Sequence, residues 1–267
     1  MSELKITSPQ NPAIREYARL LKNNRYRRRT GKIALEGPNL IAEAIKAGLE
    51  PEVIFSTEEY KKGSGYNLVS GLPEGVKLAV LPEKLFARLA ATESPQEIAA
   101  IFYYRETDSG DLAHKGPDPA LILDRLQDPG NLGTLIRTAA AAGLSRVYLT
   151  AGGADPFSPK ALRSSAGAVF QICLKEIEDP AGLLRELREE GLQIVGTTAG
   201  SSLVYWKADY RRPTAVVIGN ETWGINPELL SAVDYSVSIP LSGRVESLNA
   251  AAAGAVIMYE ILRQRRT

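Results

Sequence analysis

Chemistry in this chain has to be done almost without imidazole or thiol, because its 267 residues include one histidine, His114, and one cysteine, Cys173. A Ser-His-Asp or Cys-His hydrolase needs an imidazole beside its nucleophile, and zinc sites draw on several His and Cys ligands, so both classes are disfavoured. No acidic cluster suggests a carboxylate-only magnesium site, and no metal is expected. What remains is backbone contact and the side chains of Arg, Asn, Ser and Glu, which three loops concentrate.

The first loop runs from Leu121 to Arg137 and predicts a strand ending in a Pro129-Gly130 turn, with Asn131 capping a helix through Ala139 to Gly143. Gly133 in the first helical turn weakens the helix, which suggests close approach by another group. Arg137 sits among Leu135, Ile136, Thr138 and Ala139, either as a functional cation near the sheet or as a side chain snorkelling to the surface. Gly130 and Gly133 supply half of a G-x-G-x-x-G pattern, so a nicotinamide dinucleotide gains little support.

The second loop is Val216-Val-Ile-Gly-Asn-Glu-Thr-Trp-Gly-Ile225, a buried strand opening into a glycine-bounded turn. Gly219 lets backbone come close to a ligand, and Glu221 can accept hydrogen bonds from a ligand or from loop amides, or simply cap a turn. The third is Ser238 to Asn249, in which Pro240 and Gly243 lead Ser247-Leu248-Asn249 to the start of a small-residue helix. Free amides there favour a polar or anionic group, although Ser247 could be a plain N-cap and Ala250 to Ala255 reads as core.

These loops need a sheet to hold them. Apolar runs at Leu121 to Leu123, Arg146 to Thr150, Gln171 to Ile177, Gln193 to Thr198, Thr214 to Gly219 and Tyr235 to Ile239 alternate with helical segments. That alternation predicts a parallel sheet covered on both faces, with ligands beyond the carboxyl ends of its strands. Upstream, an amphipathic helix over Asn11 to Lys22, a strand at Lys32 to Leu35, a helix over Asn39 to Ala47 and strands at Val53 to Ser56, Val76 to Val80 and Ile98 to Tyr103 predict a smaller α/β domain. The division is therefore 1–104, a polar linker at 105–118 that contains His114, and 119–267. Cys173, among Phe170, Ile172 and Leu174, reads as a buried structural thiol. Lys5, Thr7, Ser8 and Gln10 interrupt any signal-like run, and the apolar stretch Leu248 to Leu262 is too short to span a bilayer, so a soluble cytoplasmic protein is expected.

The net charge of +1 hides an uneven distribution. Lys22, Arg25, Arg27, Arg28, Arg29 and Lys32 follow one another without an acidic residue, around Tyr26. Cations interleaved with an aromatic suit phosphate contact and base stacking, or a solvated helix end.

Asn131-x-Gly133-x-x-x-Arg137, Gly219-x-Glu221-x-x-Gly224 and Ile239-Pro240-Leu241-x-Gly243-x-x-x-Ser247-Leu248-Asn249 together resemble the three ordered motifs of the SpoU (TrmH-like) family of RNA ribose methyltransferases. Each motif is weak by itself, whereas the ordered set is specific. Ala34-Leu-Glu-Gly-Pro-Asn-Leu-Ile41 is more loosely similar to the substrate-binding domain of many members.

The resemblance implies a small N-terminal α/β RNA-binding domain followed by a parallel-sheet methyltransferase domain with a trefoil knot, a homodimer, and S-adenosylmethionine as cofactor. It implies cofactor contacts at Thr197, Gly219, Ile239, Leu241 and Leu248. Arg137 takes the family's catalytic place, Asn131 is expected to hold Arg137, and Glu221, Ser247 and Asn249 are expected to order the loops. The basic arm then gains RNA as a partner, ribosomal RNA ahead of transfer RNA. The rivals are a catalytically inactive RNA-binding module of the same fold and a nucleotide-dependent metabolic enzyme, which the missing dinucleotide fingerprint disfavours.

Overall fold

The structure is a computed structural model that describes residues 2–63, 66–72, 75–89, 96–104 and 118–266. The expected linker lies outside the described residues except for Asp118, and so does His114. The described residues fall into two compact units, one within Met1–Arg105 together with Phe157–Phe170, the other within Glu106–Pro156 and Gln171–Thr267.

The first unit is a five-stranded sheet in the order β1-β4-β3-β5-β2. Its strands are β1 (Ser2–Lys5), β2 (Lys32–Glu36), β3 (Pro51–Thr57), β4 (Lys77–Leu81) and β5 (Ile98–Tyr103). Its helices are α1 (Pro12–Lys22), α2 (Asn24–Thr30), α3 (Pro38–Lys46), α4 (Glu58–Lys62), α5 (Tyr66–Ser70) and α6 (Glu83–Leu89). β1 pairs parallel with β4, whereas β5 runs antiparallel to both β2 and β3. The amphipathic α1 buries Ile14, Tyr17 and Leu20 against this sheet, and the Tyr17 hydroxyl donates to the Leu35 carbonyl at 3.2 Å. Two elements escaped the sequence reading. β1 is edge-on and polar apart from Leu4, itself half-exposed, so it has no alternation to detect. α2, which carries most of the basic run and has no apolar repeat, is a helix capped by the Asn23 side chain at the Tyr26 amide, 2.9 Å, and ended by Gly31 at φ +62°.

The second unit is a six-stranded sheet, β11-β9-β10-β6-β7-β8, in which every neighbouring pair is parallel. Its strands are β6 (Ala120–Leu123), β7 (Arg146–Thr150), β8 (Cys173–Ile177), β9 (Gln193–Thr197), β10 (Thr214–Ile218) and β11 (Tyr235–Val237). Its helices are α7 (Pro129–Ala141) and, after α8 (Pro159–Ser165) in the first unit, α9 (Pro180–Glu189), α10 (Pro227–Ser231) and α11 (Ala250–Arg266). The parallel arrangement predicted from the apolar runs is the one observed. On one face Ile122, Ile194 and Val217 pack with Leu184, Leu187 and Leu229 of α9 and α10. On the other, α7 and α11 cross closely because Gly254 has no Cβ, which would collide with Leu135. Strand order reverses between β6 and β10, so the crevice beyond their carboxyl ends is where ligands settle in open parallel sheets. Cys173 is buried at the start of β8.

The segment Phe157–Phe170, expected within 119–267, packs instead with the first unit. Leu162, Val169 and Phe170 are buried there, and the Phe157 ring lies 4.2 Å from that of Tyr104. Among the described residues no helix is long and apolar enough to cross a membrane.

Candidate active site

Pro129 occupies the first turn of α7, where its missing amide hydrogen is not needed, and Asp128 caps the helix by accepting from the Asn131 amide at 2.8 Å. The expected Pro-Gly turn is thus helical, and the cap lies three residues before Asn131. That frees the Asn131 side chain. Its Nδ2 donates to Glu221 Oε1 at 3.1 Å, and its Oδ1 accepts from Asn249 Nδ2 at 2.9 Å. Glu221 also accepts from the backbone amides of Gln127 at 3.0 Å and Asp128 at 3.1 Å. Asn249 in turn caps α11, its Oδ1 accepting from the amides of Ala251 at 2.9 Å and Ala252 at 3.2 Å.

The polarity of this relay follows from its ends. An ionised carboxylate only accepts, so Asn131 must turn its amide nitrogen to Glu221 and its oxygen to Asn249. Asn249 must then present nitrogen to Asn131 and oxygen to the free amides of α11. Burial by itself would raise the Glu221 carboxyl, but the Gln127 amide, the Asn131 side chain and the Asp128 amide hold it below the ordinary carboxylate value. Glu221 thus meets the loop amides of Gln127 and Asp128 as well as the Asn131 side chain.

The loop after β10 closes on itself. Asn220 and Gly224 exchange two backbone hydrogen bonds of 2.9 Å, with Gly224 at φ +69°. Any side chain at Gly219 would run into the backbone of Gly224 and Ile225, so only glycine allows the closure. Asn220, which the sequence reading passed over, organises the tip. Its Oδ1 accepts from the amides of Thr222 at 2.9 Å and Trp223 at 3.1 Å, and its Nδ2 donates to the Arg125 carbonyl at 2.8 Å. Beneath it the buried Asp124 accepts from the Asn226 amide at 2.7 Å and the Thr150 hydroxyl at 2.9 Å. A polar residue directly after the buried run Leu121-Ile-Leu123 was the available signal for Asp124.

A pocket of about 520 Å³ opens beyond β9 and β10. Its walls include Thr197, Gly219, Ile239, Leu241 and Leu248, the five positions expected to touch a cofactor, together with Glu221, Ser247 and Asn249. Its size suits a small-molecule ligand, and its wall mixes aliphatic side chains with backbone and hydroxyl groups. Among the described residues no group of three His, Cys, Asp or Glu side chains is placed to hold a metal.

One expectation about this site is corrected, and one alternative falls away. Asn131 does not hold Arg137: the two lie six residues apart on α7, about 9 Å along the helix and roughly 120° around it, and Asn131 is committed to Glu221 and Asn249. Arg137 is exposed and makes no hydrogen bond or ion pair among the described residues. Ser247 is not the cap of α11, because Asn249 takes that place, two residues closer to the helix.

The basic arm divides as well. Arg27 is buried and its guanidinium donates to the Leu20 carbonyl. Lys32 pairs with Glu16 at 2.9 Å and Glu52 at 2.7 Å. Burial would lower the Lys32 ammonium, yet these carboxylates raise it above its ordinary value. Both are therefore engaged within the fold, unlike the exposed cations of the same run. Tyr26 is covered by the Arg19 guanidinium 4.1 Å from its ring centre, which leaves less of its face for a base. Lys22, Arg25, Arg28 and Arg29 are exposed, and α1 adds the exposed Arg15 and Arg19, whose spacing with Lys22 along one helix face the sequence reading missed.

Comparison with known proteins accords with this geometry. The model of the SpoU rRNA Methylase family matches residues 118–259, and that of the MRM3-like substrate binding domain matches residues 11–100. The chain is 35% identical to the 23S rRNA (guanosine(2553)-2'-O)-methyltransferase RlmP of Bacillus subtilis, over 96% of this chain and 98% of that protein. The crystal structure of the SpoU methyltransferase AviRb from Streptomyces viridochromogenes in complex with AdoMet superposes with a TM-score of 0.88 at 28% identity, covering 97% of this chain and 99% of that one. The AdoMet-bound rRNA methyltransferase from Sinorhizobium meliloti does so with a TM-score of 0.84 at 29% identity, covering 98% of each chain. The SpoU match spans more than half of the chain and includes Asn131, Glu221 and Asn249, so the protein belongs to the SpoU rRNA methylase family.

Proposed function

We propose that this protein transfers the methyl group of S-adenosylmethionine to a ribose 2′-hydroxyl of ribosomal RNA. The observation that carries the reading is the Glu221–Asn131–Asn249 relay, which ties the three motif loops together at the pocket where the cofactor is expected. The relatives named above are two rRNA methyltransferases and a SpoU methyltransferase, and two of the three are structures with AdoMet bound.

When bound, S-adenosylmethionine supplies an already activated sulfonium methyl group. The chain's own work is then to hold the ligand and to align the acceptor hydroxyl. Ile239, Leu241 and Leu248 would cover the apolar part of the ligand, while Thr197 and Gly219 offer it hydroxyl and backbone groups. Arg137 is our candidate for the catalytic side chain, because it is exposed and uncommitted. A guanidinium keeps its proton, so its contribution is charge and hydrogen bonding to the ribose or its phosphate, which favours loss of the hydroxyl proton. Asn131, Glu221 and Asn249 act as positioning residues, and Ser247, exposed at the pocket wall, remains available to the substrate.

The same reading assigns RNA binding to 1–104, through Lys22, Arg25, Arg28 and Arg29, and methyl transfer to 119–267. It also takes the active form to be a cytoplasmic homodimer and the C-terminal segment to be knotted. In support of a knot, residues 201–205 lie against the exit of β11: Val204 bridges Ser238, and the Ser201 hydroxyl donates to the Ser236 carbonyl at 2.7 Å.

The test is transfer from methyl-labelled S-adenosylmethionine to separate pools of unmodified ribosomal and transfer RNA. Label in an alkali-resistant dinucleotide from ribosomal RNA is the expected product. Label on a base, or in transfer RNA alone, would overturn the assignment.

A further inference from the structure

Trp223 is 81% exposed, yet its backbone is held firmly. Its amide donates to Asn220 Oδ1 at 3.1 Å, Asn220 is anchored to the Arg125 carbonyl at 2.8 Å, and the neighbouring Glu221 is fixed by two backbone amides and Asn131. Among the described residues the indole makes no hydrogen bond or ring contact, and no other large hydrophobic side chain is as exposed. It lines the same pocket as Leu248, which is 40% exposed. A large, flat apolar side chain presented to water from a rigid loop at a ligand pocket calls for an occupant.

We propose that Trp223 is the platform on which an unpaired base of the substrate RNA stacks, at or next to the ribose being methylated. The proposal rests on the RNA methyl transfer proposed above. The acceptor ribose has to enter this pocket, so its base or a neighbour passes the rim where Trp223 stands. Single-stranded RNA is gripped by stacking on aromatic faces, and a face on a pre-ordered loop loses little freedom when it is covered. Nearby charge favours the same occupant, because the segment 241–249, whose ends Leu241 and Ser247 to Asn249 line the pocket, carries the exposed Arg244. Stacking tolerates different bases, so Trp223 would supply affinity and placement, not base identity.

The chain has two tryptophans, so the full-length protein carrying Trp206→Phe reports Trp223 emission alone. Titration with an unpaired ribosomal RNA oligonucleotide should quench that emission, and S-adenosylmethionine alone should not. In the methyl-transfer assay, Trp223→Ala should raise the RNA KM about 10-fold while kcat and cofactor affinity change little, with Trp223→Phe restoring most of the loss. Absence of quenching by RNA that binds, or an unchanged KM in Trp223→Ala, would overturn the proposal. So would quenching by the cofactor alone, or by raised protein concentration alone, which would assign the indole to the ligand or to a second copy of the chain. A parent enzyme that methylates no RNA yet shows RNA-dependent quenching would count against the transfer reaction and for the stacking.

Discussion

Asn131 and Asn249, 118 residues apart, are joined side chain to side chain by a hydrogen bond of 2.9 Å from Asn249 Nδ2 to Asn131 Oδ1. The bond has one allowed polarity, since Glu221 dictates the orientation of Asn131 and the amides of α11 dictate that of Asn249.

That polarity makes Asn249→Asp an informative change. Aspartate caps a helix as well as asparagine does, so α11 keeps its start, but an oxygen now faces Asn131 Oδ1. Methyl transfer should fall about 10-fold or more, as expected for loss of a charge-oriented contact of roughly 1.5 kcal/mol, while the melting temperature changes by a few degrees at most. Asn249→Ala should lose both stability and activity. Equal activity of the aspartate variant and the parent would remove the relay from the mechanism.

Glu221→Gln tests the other end. The three groups donating to this carboxylate are all N–H, and a glutamine would turn its own NH₂ toward one of them. Cofactor affinity should drop about 10-fold, measured by calorimetry, as the loops lose their common anchor. The pH response has a fixed sign. Because the folded carboxyl titrates below its unfolded value, its contribution is complete above about pH 4.5 and is lost as pH falls through the folded value. Stability of the parent should therefore decline on acidification below that point, and Glu221→Gln should lack that contribution.

Arg137→Ala should keep cofactor affinity and lose methyl transfer, because the side chain is exposed, is not part of the pocket wall and makes no hydrogen bond or ion pair among the described residues. Single-turnover assay with saturating cofactor separates the two readouts. Unchanged turnover would remove Arg137 from the reaction.

Cations of the basic arm should separate into two behaviours. Combined replacement of Arg25, Arg28 and Arg29 by alanine should leave the melting temperature near that of the parent, weaken RNA binding and reduce the salt slope of log K by about 2 to 3. Lys32→Ala should instead lower stability by about 1 to 3 kcal/mol, since it leaves Glu16 and Glu52 facing each other without their shared ammonium. Urea titration followed by circular dichroism distinguishes them.

The difference between Arg27 and Arg28 shows what the sequence could and could not convey. They are adjacent and chemically identical, and one is buried while the other is exposed, because α2 turns them to different sides. Without an apolar repeat to reveal that helix, the cations read as one run. β6, β9 and β10 were legible because their apolar runs are buried on both faces. The pocket-lining positions were legible through the motif resemblance, and the structure gathers Thr197, Gly219, Ile239, Leu241 and Leu248 into one wall. The partners of Asn131 were not legible. Glu221 lies 90 residues away and Asn249 118, so nothing local distinguishes an asparagine that steadies Arg137 from one that links two distant loops.

The placement of Phe157–Phe170 with the first unit bears on how this protein can be divided. A fragment beginning at residue 118 would retain Leu162, Val169 and Phe170 but lack the sheet and helix that bury them. Such a fragment would display an apolar strip in the middle of its catalytic half and should self-associate even if its own parallel sheet formed. The remaining piece, ending at residue 104, would miss a section of its wall. Genetic dissection at the linker thus damages both products, and trimming this enzyme to a minimal catalytic module requires redesigning residues 157–170 for a polar surface.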